Sequence, residues 1–391
     1  MAQISAEESV RRLGRPVLAA LNFAGIAVFA DLYVTQPILP VLSQEFGISP
    51  ATAGLTISLT VLMIAIVSAG YGFLSDLIGR KPVMVASCAL LVVPTVLCAA
   101  APSFQLLLVF RALQGLLMPG VTAVAVAYLG DYYAGAELGP KVGGWIAASV
   151  AGGLTGRVIS GLIAAWIHWR APFVVFGLLT LVGAVWMARA LPPRLTTTRV
   201  QLGHAYRGMF QHFRNRRVVG AFIVGSTVFF AVIGMFTYLP YYLTAPPFRL
   251  STAVVSSAYL VYIAGVLASL ISGRLASRVG ARALMGAGLV ISCLGVLGTL
   301  GQFLPTVVLS LIVLCIGMFT VQSTAPAFVN ANAVGVKGGA GALYTSFYYF
   351  GASFGSVLPG HALQLWGWKG VVVTCLTALC IGLLSDWILC R

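Results

Sequence analysis

Long apolar blocks alternate with short polar breaks along the whole chain. A helix needs about 20 apolar residues to cross the hydrocarbon core of a bilayer. Blocks of that length are read at 17–43, 51–75, 82–101, 105–130, 140–166, 171–191, 218–245, 252–275, 282–302, 305–331, 339–365 and 368–389. The longest break, 192–217, holds Arg194, Arg199, Arg207, Arg214, Arg216 and Arg217, with an amphipathic stretch near 204–213. It reads as a linker between bundles over 17–191 and 218–391, behind a polar tail at 1–16. Composition supports this picture: 60% of the 391 residues are hydrophobic and 8% charged. A soluble domain carries about a quarter charged residues.

The net charge of +15 raises the question of nucleic acid, and its placement answers it. With the N-terminus inside, eighteen of the 23 lysines and arginines fall in the tails and inner breaks, including Arg11, Arg12, Arg15, Lys141, Arg189, Arg274, Arg278, Lys337 and Arg391. Arg170, Arg249 and Lys369 fall outside, and Arg111 and Arg157 lie within spans. This bias is that of cytoplasmic loops and places both termini in the cytoplasm. Such clusters suit anionic lipid headgroups, not nucleic acid. Trp145, Trp186 and Trp387 near inner ends, and Trp166, Trp169, Trp366 and Trp368 near outer ends, read as interfacial anchors. The seven cysteines lie in or beside spans without metal or disulfide spacing and act as small hydrophobes.

The chain repeats itself. Gly72-Phe-Leu-Ser-Asp-Leu-Ile-Gly79-Arg-Lys81 is matched 201 residues later by Gly273-Arg-Leu-Ala-Ser-Arg-Val-Gly280-Ala-Arg282. Gly152, Gly156, Gly161 and Trp169 are matched by Gly351, Gly355, Gly360 and Trp368 at an offset of 199, and Leu39-Pro40 by Leu239-Pro240. The predicted fold is thus twelve transmembrane helices in two pseudo-symmetric six-helix bundles. Such halves hold a solute between them near mid-membrane. Gly144, Ala148, Gly152, Gly156 and Ser160 recur every four residues. That spacing allows close helix packing and is compatible with a sliding contact against the eighth span.

Of eight acidic residues, Asp31 alone sits mid-span. Intramembrane charges are costly and usually functional, and a carboxyl balanced between burial and a nearby arginine can exchange a proton. Arg111 and Arg157 have no counterparts in the second half. Two readings stand for them: bonding helix carbonyls to lock the first half, or coupling protons with Asp31 and binding an anionic solute. Arg80 is placed to bridge Asp76 and Asp131, with Asp76 also able to face the positive N-terminal end of the eleventh span near Gly338. Tyr33, Gln36, Gln114, Tyr238, Gln322, Asn330, Phe347 and Tyr348 are the cavity-lining candidates.

The stretch Gly72-Phe-Leu-Ser-Asp-Leu-Ile-Gly-Arg-Lys-Pro82 resembles the signature loop of the major facilitator superfamily, and Arg111-Ala-Leu-Gln-Gly115 its RxxQG motif. The fifth-span glycines resemble the antiporter motif of the twelve-span drug:proton branch, with Gly156-Arg157 where that motif has Gly-Pro. Tyr33-Val-Thr-Gln-Pro-Ile-Leu-Pro40 is similar to bacterial efflux permeases. The resemblance implies a proton-coupled transporter of the inner membrane, working as a monomer by alternating access. It would export small organic or amphipathic compounds, with Arg111 in proton transfer and Gly72, Asp76, Gly79, Arg80, Lys81 and Asp131 in gating; the reading of buried charges adds Asp31 and Arg157 to the proton coupling. Two other expectations stay open: symport of a small anion, and a membrane sensor that transports nothing. No P-loop for ATP, no hydrolytic triad and no metal-spaced cluster occurs, so neither an enzyme nor a cofactor beyond the coupling proton is expected.

Overall fold

The computed structural model describes residues 13–192, 211–333 and 337–391. Arg11, Arg12, Arg194, Arg199, Arg207 and nearly all of the amphipathic stretch lie outside them. Among the described residues every regular element is helical. Eleven segments are long and apolar enough to cross a membrane: α1 (Arg15–Phe46), α2 (Pro50–Ile78), α3 (Arg80–Ala100), α4 (Phe104–Tyr132), α5 (Leu138–Trp166), α6 (Ala171–Ala190), α7 (Arg216–Thr244), α8 (Thr252–Val279), α9 (Ala281–Gly298), α10 (Leu304–Asn332) and α13 (Trp368–Ile388). The block expected at 339–365 differs. It forms two helices, α11 (Lys337–Gly355) and α12 (Leu358–Trp366), parted at Ser356–Val357.

The breaks follow from proline chemistry. Pro37 lacks a backbone N–H and cannot continue an α-helical ladder. α1 accordingly stops at Leu32, turns through a 3-10 segment, Gln36–Ile38, and resumes at Leu39. The Gln36 N–H donates to the Tyr33 carbonyl at 3.1 Å, leaving the Leu32 carbonyl without its usual partner four residues on. In α4, Pro119 sits where the helix is interrupted around Met118.

The sequence repeat is a repeat of contacts. Gly79 joins α2 to α3 at φ 104°, and Gly280 joins α8 to α9 at φ 91°, a region open to glycine and costly for other residues. A side chain at Gly152 or Gly156 would strike the α1 backbone at Ile26 and Ala30. One at Gly351 or Gly355 would strike α7 at Ser226 and Phe230. The small-residue face of α5 therefore serves the α1 contact. Near Gly161, against Ser256, it also meets α8.

The parts of the chain before and after the linker meet through α2 against α11 and through α5 against the start of α8. Hydrogen bonds between them run from Ser43 with the Tyr241 hydroxyl (2.6 Å), through Gln36 to Thr237 and Ser58 with Ser353, to Ser346 donating to the Ala65 carbonyl. The first of these lies near the end of the molecule that carries Arg170 and Lys369. The opposite end, which carries Arg80, Lys81, Arg278 and Arg282, is called the basic face below. Large apolar side chains such as Leu90, Leu178, Leu270, Leu294 and Leu384 are exposed around the bundle, as a hydrocarbon solvent requires. The tryptophans divide. Trp166, Trp186, Trp366 and Trp387 are exposed, as anchors would be, whereas Trp145, Trp169 and Trp368 are buried. The anchor reading fails for those three. Trp145 packs over Gly25, and the Trp368 indole donates to the Thr299 carbonyl.

Candidate functional site

Two buried arginines lie in the chain before the linker, and the structure gives them different surroundings. Arg111, on α4, is fully enclosed. Its Nη2 donates to the Leu32 carbonyl (2.7 Å), its Nη1 to the Asp31 carbonyl (3.0 Å) and its Nε to the Thr56 carbonyl on α2 (2.9 Å). The Leu32 carbonyl is the one released by the break at Pro37, so Arg111 caps a helix end that has no water to turn to. Nη1 also donates to Gln114 Oε1 (2.7 Å), and Gln114 Nε2 donates to Asp31 Oδ2 (2.8 Å), which accepts a second bond from the Thr95 hydroxyl (2.8 Å). Gln114 thus stands between the two charges, and among the described residues no Arg111–Asp31 carboxylate pair falls within ion-pair distance. Asp31 Oδ1 is buried with no hydrogen-bond partner.

Arg157, on α5, faces the other way. Its Nε donates to Gln36 Oε1 (2.5 Å) and its Nη1 to the Gly153 carbonyl (2.6 Å). Gln36 Nε2 in turn donates to Thr237 Oγ1 on α7 (3.0 Å), so this chain of bonds crosses between the two parts of the molecule. The guanidinium lies 3.6 Å from the Tyr33 ring centroid and 4.8 Å from that of Tyr262 on α8. It lines a cavity of about 260 Å³ between α1, α4, α5, α7, α8, α10 and α11. The wall opposite is aromatic: Phe229 stacks on Tyr348 at 3.7 Å, and Phe319 meets Tyr262 edge-on at 5.9 Å. Trp145 and Ile146 line it eight or so residues from the start of α5, so it extends from Arg157 toward the basic face. Beyond Arg157 the Gln36–Thr237 and Ser43–Tyr241 bonds close the other side. Among the described residues no carboxylate lies within ion-pair distance of Arg157.

The third group is at the basic face. Arg80 Nε meets Asp131 Oδ2 at 2.5 Å and its Nη2 meets Asp76 Oδ1 at 3.3 Å. The bridge expected from sequence is present, and in this conformation it ties α2, α3 and α4 to one another. Gly79 supplies the turn, and Gly72 has open space where a side chain would go. Lys81 is half-buried beside Arg80.

A family model described as Major Facilitator Superfamily matches residues 21–268. The inner membrane transport protein YnfM of Escherichia coli K12 is 34% identical over 370 residues, covering 94% of this chain and 89% of that one. The uncharacterized MFS-type transporter YybF of Bacillus subtilis 168 is 32% identical over 370 residues, covering 92% and 91%. The chain belongs to the Major Facilitator Superfamily. As a member of that superfamily it is a multi-pass membrane transporter. Major facilitator structures share the fold. A bacterial homologue of the human lysosomal transporter Spinster, inward-facing and unoccupied, superposes with a TM-score of 0.80 at 16% identity, covering 95% and 97% of the two chains. A mutant of the nucleoside transporter NupG gives 0.79 at 13% identity, covering 96% and 100%.

Within this major facilitator fold the expected cavity residues separate. Tyr33, Gln322 and Tyr348 line the cavity, and Gln36 holds Arg157. Gln114 is enclosed with Asp31 and Arg111 instead. Tyr238 points at the Ser356 carbonyl (2.6 Å), Phe347 stacks on Phe222 (5.4 Å), and Asn330 is exposed near the end of α10. These four fail as lining residues because each faces a neighbouring helix or the outside. Phe29, Phe229, Tyr262, Phe319 and Tyr349 were missed. An aromatic in an apolar span carries no mark of which helix it faces, so composition alone could not select them.

Proposed function

We propose that this transporter is a proton-coupled exporter of small organic anions, with Arg157 as the residue that receives the anionic group. One observation carries the reading: a buried guanidinium, with no acidic partner among the described residues, opens into the cavity between the two parts of the chain. An isolated buried charge is costly, and an anionic solute offsets that cost. The fifth-span glycines and the run at 33–40 support export by resemblance, and physics agrees with the sign. An interior-negative potential drives a monoanion outward by about 2.3 kcal/mol per 100 mV. We place the protein in the inner membrane with both termini in the cytoplasm, so that the cavity faces the cytoplasm. The bundles 17–191 and 218–391 would rock about the level of Arg157 as a monomer. The Asp76–Arg80–Asp131 bridge would help close the basic face in the opposite state, beside loops that meet anionic lipid. A thermal-shift screen of the purified protein against matched small organic anions and cations tests this. Anions should raise the melting temperature; stabilisation by cations alone would overturn the reading.

For the proton we propose Asp31. Protonation at Oδ1 disturbs no bond, since Thr95 and Gln114 both donate to Oδ2. Asp31→Asn preserves that arrangement, with an amide nitrogen where Oδ1 stood. We expect it to fold and to exchange solute across proteoliposomes, yet to lose uphill transport driven by a pH gradient. Undiminished uphill transport would remove Asp31 from the mechanism.

A further inference from the structure

We propose that the Arg157 cavity is built for an aromatic carboxylate that bears a hydroxyl or amino group on its ring. This deepens the anion reading and rests on it, but three separate features of the cavity supply the additional detail.

The first is the free edge of the guanidinium. Arginine offers five N–H groups in a fixed plane. Gln36 takes the one on Nε and the Gly153 carbonyl takes one on Nη1. The remaining three are one on Nη1 and two on Nη2, and a pair of such N–H groups matches the two oxygens of a carboxylate. Tyr33 and Tyr262 lie against the guanidinium, which holds its plane in place.

The second is the shape of the walls. About 260 Å³ is roughly the volume of nine waters, too large for acetate and suited to about ten non-hydrogen atoms. The Phe229–Tyr348 stack and the Phe319 ring offer flat apolar faces. Offset or edge contacts with such rings stabilise an aromatic pair beyond its buried area. A planar ring gains these contacts and an aliphatic chain of equal size does not.

The third is a set of unmet hydrogen bonds. The hydroxyls of Tyr262 and Tyr348 and the Oε1 of Gln322 are buried without partners, and all three residues line the cavity. Gln322 Oε1 only accepts, so what satisfies it must donate. A phenolic hydroxyl or aromatic amine on the solute donates and, in the hydroxyl case, also accepts from a tyrosine.

Isothermal titration of the full chain in nanodiscs with acetate, cyclohexanecarboxylate, benzoate and the three hydroxybenzoates tests this order. The best hydroxybenzoate should bind about tenfold tighter than benzoate, the equivalent of one net hydrogen bond. Benzoate should in turn bind tighter than cyclohexanecarboxylate, and acetate weakest. Gln322→Leu and Tyr348→Phe should abolish the preference for hydroxybenzoate over benzoate. If all carboxylates bind equally, or if the preference survives both substitutions, the aromatic assignment is wrong and the anion reading stands. If no carboxylate binds and organic cations do, both fall together.

Discussion

Replacing Arg157 by Met should abolish anion binding while leaving the ligand-free protein as stable as before, or more stable. Two terms set this expectation. A carboxylate buried without its cation loses about 2–5 kcal/mol, a fall in affinity of about 30-fold or more. Against that, the ligand-free protein sheds a buried charge for which the described residues hold no acid. Replacing buried ionic groups with well-packed apolar ones is often neutral or stabilising. The stack on Tyr33, about 0.5–2 kcal/mol, and the bond to the buried Gln36 Oε1, about 1–3 kcal/mol, are also lost, which bounds the gain. Thermal unfolding with and without an anionic solute reads both quantities at once. Arg157→Lys should be intermediate: it keeps the charge but has one nitrogen where the guanidinium needs Nε for Gln36 and two more for a carboxylate. A variant that melts far below wild type without ligand would make Arg157 a structural residue and remove the basis of the anion reading.

Arg111→Met should do the reverse. Arg111 closes four hydrogen bonds, three of them to carbonyls of α1 and α2. Removing it leaves buried acceptors unmet at about 1–3 kcal/mol each and leaves the Asp31 carboxylate without a nearby cation. Even with local relaxation, a loss of about 3–5 kcal/mol is expected, the range for breaking a buried charge pair on one side. The readout is unfolding in detergent together with the yield of monodisperse protein. A variant that folds and melts like wild type but no longer couples transport to protons would assign Arg111 to the proton path, the alternative that the RxxQG resemblance suggests. The two arginines therefore make a paired experiment in which the same substitution shifts stability in opposite directions.

Nothing in one dimension separates these residues. Both are arginines deep within apolar spans, both lie in the first half, and neither is repeated in the second. Asp31, Arg111 and Arg157 all come from the first half, but the cavity does not. Its aromatic wall comes from Phe229, Tyr262, Phe319 and Tyr348, all beyond the linker. Trp145 shows the same limit. Its position near a span end suggested an interfacial anchor, and the approach of α1 at Gly25 turned it inward.

The sequence alone determined the apolar spans, the basic sidedness and the repeat. These depend on local length, on counted charge and on glycines at fixed offsets, such as Gly79 with Gly280 and Gly152 with Gly351. Gly79 and Gly280 keep their meaning through their positive φ, and Gly152 and Gly351 through a neighbouring backbone that leaves no room for a side chain. Tertiary structure decided what each buried polar group faces. Arg111 meets the Leu32 carbonyl because the break at Pro37, 74 positions away in the chain, leaves that carbonyl without its helical partner. Arg157 lines the cavity because the helices around it bring phenols and an amide within reach and, among the described residues, no carboxylate within ion-pair distance. In a bilayer a buried charge must be answered by whatever packs against it, and that partner is chosen by the fold.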